Sequence, residues 1–313
     1  MKNSLINGVA AIAATVTTVL AASGALAQGN TITVGEPLGT TNEAGAATPM
    51  SENVRVFGSF RFAESCTFDP ERNLILAMNA GVAENMEPND GYVSLINPDG
   101  TVHTSKWIGA TRDGLTLNHP LGSAIRNGVL YTVDQTVVRR FDLASGQPRE
   151  ATEVADATLL NGIGVAEDGT IYASNTRDPQ RIYRISPEGE VSRFVEGAPL
   201  NSPNGVAVDN EGNVVVVNVG DNAVLTFDRE GRLLRTEHAA EGGNDGLVIT
   251  DDGTKYVSSV RFGSVSRIRP GREAEVIAQG IPSAASMCYD SVQNQLVIPM
   301  NNHNAMAFIK LEE

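Results

Sequence analysis

The chain has 313 residues, of which 37 are Asp or Glu and 23 are Lys or Arg, for a formal net charge of −14 at pH 7. A surface of that sign repels phosphate backbones and anionic headgroups, which sets nucleic acid aside as a partner and leaves small molecules and cations. Acidic balance suits a cation site, but its commoner reason is solubility, so charge by itself argues for no metal.

The first segment reads as a leader. Lys2 supplies a positive start, Val9 to Ser23 is an apolar and small-residue run, and Ala25-Leu26-Ala27 fits the small-x-small pattern of a signal-peptidase site. Residues 1–27 are therefore expected to be a signal peptide, with Gln28 the mature N-terminus and a periplasmic or secreted location. No later stretch approaches the roughly 20 apolar residues of a spanning helix, so no membrane anchor is expected in the mature chain. Residues 28–52, rich in Gly, Thr, Ala, Asn, Pro and Glu without an apolar period, read as a flexible lead-in without function.

Residues 53–313 carry a repeat. Six segments open alike, at Glu64-Ser-Cys-Thr-Phe-Asp, Leu121-Gly-Ser-Ala-Ile-Arg, Asn161-Gly-Ile-Gly-Val-Ala, Asn204-Gly-Val-Ala-Val-Asp, Asp245-Gly-Leu-Val-Ile-Thr and Ala285-Ser-Met-Cys-Tyr-Asp. They recur about every 41 residues, except that the first interval is lengthened by insertions from about Asn79 to Asp90 and from Ile108 to Asn118. Strand-rich repeats of this period are propeller blades. In the fourth repeat, strands are predicted over Gly205–Val208, Asn213–Val217, Ala223–Asp228 and Leu233–Glu237, each β-branched or apolar and bounded by Asn, Asp or Gly. The last repeat holds only three strands, ending near Leu311, and Val54–Phe57 is expected to supply its missing outer strand and close the ring. The fold class predicted is all-β: a six-bladed β-propeller with four-stranded antiparallel blades.

Equivalent residues of such blades form a ring at the end of the channel where the innermost strands begin. The ring position is held by Glu64, Leu121, Asn161, Asn204, Asp245 and Ala285. Two carboxylates and two amide oxygens, without thiolate or imidazole, make the donor set of a hard cation, calcium before magnesium. Converging polar groups in an otherwise apolar neck would be costly with nothing to satisfy them. Asn-Gly and Asp-Gly are also ordinary turn dipeptides, and any one alone would be read as a turn. The shared register in three blades, each followed by its own separate turn, favours the cation.

The order Glu64, Asn161-Gly, Asn204-Gly, Asp245-Gly resembles the regucalcin (senescence marker protein) and gluconolactonase family of six-bladed propellers. Its most specific pieces here are Ser202-Pro-Asn-Gly-Val-Ala-Val-Asp209 and Asn244-Asp-Gly-Leu-Val-Ile249. The resemblance covers the domain from about Phe60 onward and extends more distantly to paraoxonases and strictosidine synthases. It implies that Glu64, Asn161, Asn204 and Asp245 hold calcium or another divalent cation, that Asp245 is the base or nucleophile, and that the activity is hydrolysis of a lactone, ester or related small electrophile. Sugar-lactone members place an arginine two residues before the first Asn, where this chain has Leu159. Asn118-His-Pro-Leu-Gly122 is similar to strictosidine synthase relatives and lies near a paraoxonase histidine, which implies a proton-relay role for His119; a lone histidine of this kind is otherwise a solvated loop residue. His303 is a weaker candidate.

Two rival functions remain at this level: a non-catalytic propeller with a structural cation that binds a ligand or protein, and strictosidine synthase-like chemistry, which the full polar ring disfavours. Cys66 and Cys288 lie in blades that adjoin when the ring closes, with side chains facing either toward each other or both away. Two buried free thiols are the expectation, and a disulfide is the alternative.

Overall fold

The structure is a computed structural model that describes residues 37–82, 89–109 and 117–312, with side chains from residue 40 onward. The expected leader, and the insertions around residues 83–88 and 110–116, lie outside the described residues. Strands are numbered in chain order. A short hairpin comes first, β1 (Pro37–Thr41) with β2 (Ala47–Pro49), followed by β3 (Val54–Phe57). The first blade is β4 (Ala63–Asp69), β5 (Leu74–Asn79), β6 (Tyr92–Ile96) and β7 (Val102–Gly109). The second is β8 (Pro120–Arg126), β9 (Val129–Asp134), β10 (Val137–Asp142) and β11 (Thr152–Glu153). The third is β12 (Leu160–Val165), β13 (Ile171–Asn175), β14 (Arg181–Ile185) and β15 (Val191–Glu196). The fourth is β16 (Pro203–Val208), β17 (Val214–Asn218), β18 (Ala223–Phe227) and β19 (Leu233–His238), and the fifth is β20 (Asn244–Ile249), β21 (Lys255–Ser259), β22 (Ser264–Ile268) and β23 (Glu275–Ala278).

The last blade is β24 (Cys288–Asp290), β25 (Gln295–Met300) and β26 (Ala305–Lys310), completed by β3 from the other end of the chain. Met306 pairs with Phe57 and Ile309 with Val54, so the ring closes as the three-strand count requires. The six sheets are thus all antiparallel four-stranded blades of a β-propeller. One 3-10 turn, Asn301–His303, is the sole helical element among the described residues, and no described helix is long and apolar enough to cross a membrane.

Second strands such as Val214–Asn218 are buried along their whole length because blades cover both of their faces, which explains continuous Val runs where a half-exposed strand would alternate. The inner strands approach one another closely. A methyl group at Gly122 would overlap the Asn161 carbonyl, one at Gly162 the Asn204 carbonyl and one at Gly205 the Asp245 carbonyl. These glycines follow the ring residues because neighbouring backbones meet there.

Two expectations are corrected. Cys66 and Cys288 form a disulfide, with Cα atoms 5.4 Å apart, and are not free thiols. The cause is direct contact between the first and last inner strands: Ser65 and Ser286 form a parallel bridge, and Ser286 N–H donates to the Glu64 carbonyl at 3.1 Å, bringing the side chains face to face. The described part of the 28–52 lead-in is structured. Thr40 Oγ1 meets Thr48 Oγ1 at 2.9 Å, Met50 is buried in the cluster shared by the fifth and sixth blades, and its backbone passes so close to Gly280 that only glycine fits there. Ser51 N–H donates to the Gln279 carbonyl. This docking on a finished blade, not an amphipathic period of its own, holds the segment.

Candidate functional site

The ring residues sit second in their strands: Glu64 in β4, Leu121 in β8, Asn161 in β12, Asn204 in β16 and Asp245 in β20. At that point each strand carries one residue more than its partner. Leu160 pairs with Asn175 and Ile163 with Ala173; Pro203 pairs with Asn218 and Val206 with Val216; the shifts after Ala63, Pro120 and Asn244 are of the same kind. Such bulges interrupt the ladder and re-aim side chains.

Glu64, Asn204 and Asp245 are buried, and the amide oxygen of Asn161 is buried although its residue is partly exposed. Each of the four has a buried oxygen without a hydrogen-bond partner: Glu64 Oε2, Asn161 Oδ1, Asn204 Oδ1 and Asp245 Oδ1. Asn204 Nδ2 donates to Asp245 Oδ2 at 3.2 Å, which settles its amide orientation and leaves its oxygen free. Burial pushes the Asp245 carboxyl up to about 7 against the hydrogen bond from Asn204, and burial followed by the Asp245 charge raises Glu64 well above the usual carboxylate range. Two buried acids beside two bare amide oxygens form a site that is unfavourable by itself and that a positive ion would satisfy. Among the described residues no group of three or more His, Cys, Asp or Glu is placed to hold a metal; a cation in this ring would depend on the two amides, which suits a hard ion. Leu121 and Ala285, both buried, complete the ring.

His119 is buried and is not a solvated loop residue. Its Nδ1 lies 2.8 Å from the Ala80 carbonyl, an acceptor only, so Nδ1 carries the proton and Nε2 the lone pair. Its backbone N–H donates to Asp134 Oδ1 at 2.6 Å, and Arg139 Nε donates to Asp134 Oδ2 at 2.6 Å. Phe62 stacks on the ring with centroids 6.2 Å apart. Desolvation lowers its pKa against the Ala80 hydrogen bond, which keeps it neutral near pH 7. His303, half-buried, meets Ser283 Oγ at 3.0 Å and is likewise lowered by burial.

A second set of residues, at the end of the second strand in the first five blades, escapes the sequence reading: Asn79, Asp134, Asn175, Asn218 and Ser259, all buried. Four of them accept backbone N–H groups from the segment entering the inner strand: Asn79 from Arg61, Asp134 from Asn118 and His119, Asn175 from Thr158 and Leu159, and Asn218 from Asn201. Ser259 donates instead to the Gly242 carbonyl. These groups fix the approach to each ring residue. Ser174 and Ser258 add a clamp between blades, accepting the Gly162 and Gly246 N–H groups and donating to the Asn204 and Ala285 carbonyls. The signal was available, since the five positions share the period of the ring itself.

The profile of the family described as SMP-30/Gluconolactonase/LRE-like region matches residues 27–240 and 120–299. Among curated proteins none matches the sequence. Solved structures with the same fold include a gluconolactonase from Xanthomonas campestris, 19% identical, covering 87% of this chain and 94% of that one with a TM-score of 0.62. Virginiamycin B lyase from Staphylococcus aureus is 13% identical, covers 83% and 99%, and has a TM-score of 0.61.

Proposed function

Because the chain belongs to the SMP-30/gluconolactonase/LRE-like family, we propose that it is a lactonase- or esterase-type hydrolase that uses a divalent cation, calcium by its donor set, held by Glu64, Asn161, Asn204 and Asp245. The observation that carries this reading is that Glu64, Asn161, Asn204 and Asp245, second in the inner strands of four blades, each hold a buried side-chain oxygen without a hydrogen-bond partner. When bound, the cation supplies polarisation of the substrate carbonyl and stabilises the charge that develops on its oxygen. The likeness to a gluconolactonase agrees with that chemistry, while its low identity speaks to fold.

The chain's own residues divide the remaining work. Asn204 holds Asp245 Oδ2 in place, which fixes the orientation of the carboxylate that would act toward water or the carbonyl carbon. His119, with Nδ1 tied to Ala80, has Nε2 ready to take a proton released in the attack. Leu121 and Ala285 keep the neck dry beside the polar groups, which strengthens every charge interaction there. The substrate is a small molecule, and the leader places the protein in the periplasm or medium.

The test is a panel of lactones, aryl esters and phosphotriesters presented to purified protein with calcium and with chelator. Turnover of at least one class, lost with chelator and restored by calcium, is expected. Calcium binding with no turnover of any class would return the protein to a non-catalytic role.

A further inference from the structure

We infer that this site, read as the cation-dependent hydrolase above, takes a lactone or ester bearing an apolar alkyl or aryl group, and that Phe62, Leu121 and Leu159 form the wall receiving that group. The inference begins with the positions two residues before each ring residue, which border the mouth. In blade order they are Phe62, His119, Leu159, Ser202, Gly243 and Ser283. They divide into halves: three large residues in the first three blades, three small ones in the others.

The large half is one apolar surface. Phe62 and Leu159, both half-buried, join the same hydrophobic cluster as Leu121, and the His119 ring is stacked on Phe62. Phe62 is also held in a backbone conformation that bulky residues avoid, with φ at +48°. Two contacts hold it there: its N–H donates to Asn304 Oδ1 at 2.7 Å and its carbonyl accepts from Ala80 N–H at 3.0 Å. Ser202, Gly243 and Ser283 take the same left-handed conformation with φ between +50° and +74°, whereas His119 and Leu159 do not; Phe62 thus places an aromatic ring where three other blades use Ser or Gly in that conformation.

Most polar side chains beneath Phe62 and Leu159 are already engaged, while His119 Nε2 stays free and the Arg177 guanidinium lies near enough to act on that histidine. Thr158 Oγ1 bonds to Asn175 and the Asp178 carbonyl, Asn175 is saturated by backbone groups, and Asp134 is taken by Arg139 and two N–H groups. A polyhydroxylated ring placed on Phe62, Leu121 and Leu159 would bury hydroxyls against carbon, whereas an alkyl or aryl group would lose only water. The small half offers polar groups instead, Ser202 and Ser283 with its partner His303, and Arg261 packs beside Gly243.

The test uses the mature protein in excess calcium. kcat/KM is measured for δ-lactones carrying ethyl, butyl and hexyl chains and for a polyhydroxylated δ-lactone, and calorimetry follows binding of the matching non-hydrolysable lactams. A gain of roughly fourfold for each methylene that reaches the wall is expected, the ratio that about 0.8 kcal/mol per CH2 implies. Leu159→Asn should flatten this dependence with calcium affinity and melting temperature kept. Phe62→Asn, which tolerates the left-handed backbone, is the second variant should the first not fold. If the lactones are not hydrolysed but lactam binding still rises with chain length, the hydrolase reading fails and the wall stands. A flat dependence, tighter binding of the polyhydroxylated lactam, or no alkyl-lactam binding up to the solubility limit overturns the inference.

Discussion

Stripping the protein of divalent cations should turn its central ring into a pH-dependent weakness. Asp245 is buried, with its carboxyl pushed up to about 7 chiefly by burial, and Glu64 is raised by burial and by the Asp245 charge. In the unfolded chain the two acids titrate near 3.9 and 4.3. At intermediate pH the folded state therefore holds protons that the unfolded state has released. Stability from this source is fully present below about pH 4 and is lost as pH rises through about 7. A gap of about three pH units at Asp245 corresponds to roughly 4 kcal/mol, against total stabilities of about 5–15 kcal/mol for typical domains. The buried His119 and His303 have lowered pKa values and act in the opposite sense, adding stability as pH rises toward 6.5. Asp245→Asn separates the two in part, because it removes the Asp245 share of the carboxylate slope and the charge that adds to the effect of burial at Glu64, and leaves the histidines. Urea unfolding in chelator at pH 5, 6, 7 and 8 measures the effect, with a falling midpoint expected above pH 6. Excess calcium should abolish that fall and add about 2.7 kcal/mol at 100 times its dissociation constant. A chelated protein with one midpoint across the range, or an Asp245→Asn variant whose slope is undiminished, would refute the reading of the ring as a buried acid pair awaiting a cation.

Asp245→Asn also separates catalysis from binding: at saturating calcium it should retain cation affinity while turnover falls about 100- to 10,000-fold, and unchanged turnover would move the base to His119. Asn204→Asp, which keeps an oxygen donor and adds charge, should preserve calorimetric calcium binding and change turnover less. Reducing the Cys66–Cys288 bond releases a closure spanning 222 residues, for which the chain-entropy model gives roughly 5 kcal/mol, so the melting temperature should drop sharply under reductant; coincident melts with and without reductant would show that β3 alone fastens the ring. Truncation through Met50 should destabilise the domain by at least the 1.5–3 kcal/mol typical of one buried large apolar side chain, and a melt equal to that of the parent would mark the hairpin as dispensable.

Much of this architecture was legible because a propeller repeats its signals. The β-branched run Asn213–Val217 marked a strand, observed at Val214–Asn218, and the three-stranded last repeat pointed to Val54–Phe57 as its fourth strand. The ring residues were legible by offset alone. What failed to show depends on contacts between distant segments. The one-residue bulges beside Glu64, Asn161, Asn204 and Asp245 are a difference between two strands, invisible in either one. The bonding of Cys66 to Cys288 follows from how closely the first and last inner strands meet, which parity along each strand does not determine. The β1–β2 hairpin has no apolar alternation, since Thr40, Thr48 and Met50 gain their burial from a neighbouring blade.

The same distribution of constraints explains how an unfavourable ring persists within a stable fold. Bare buried oxygens on Glu64, Asn161, Asn204 and Asp245 would draw their strands apart or pull water into the neck if the backbone could yield. It has little freedom to do so. The glycines beside the ring bring neighbouring strands into backbone contact, Ser174 and Ser258 bond across the joints, the Asn and Asp residues ending the second strands hold the entering segments, and the disulfide bars the ring from opening at its seam. Each constraint uses backbone or partners outside the four oxygens, so none satisfies them. Rigidity placed around the four oxygens and withheld from them is what the proposed ion site would require, because such donors would not have to reorganise on binding. A ring built only for packing would instead have spread the apolar choice already made at Leu121 and Ala285 to the other four blades.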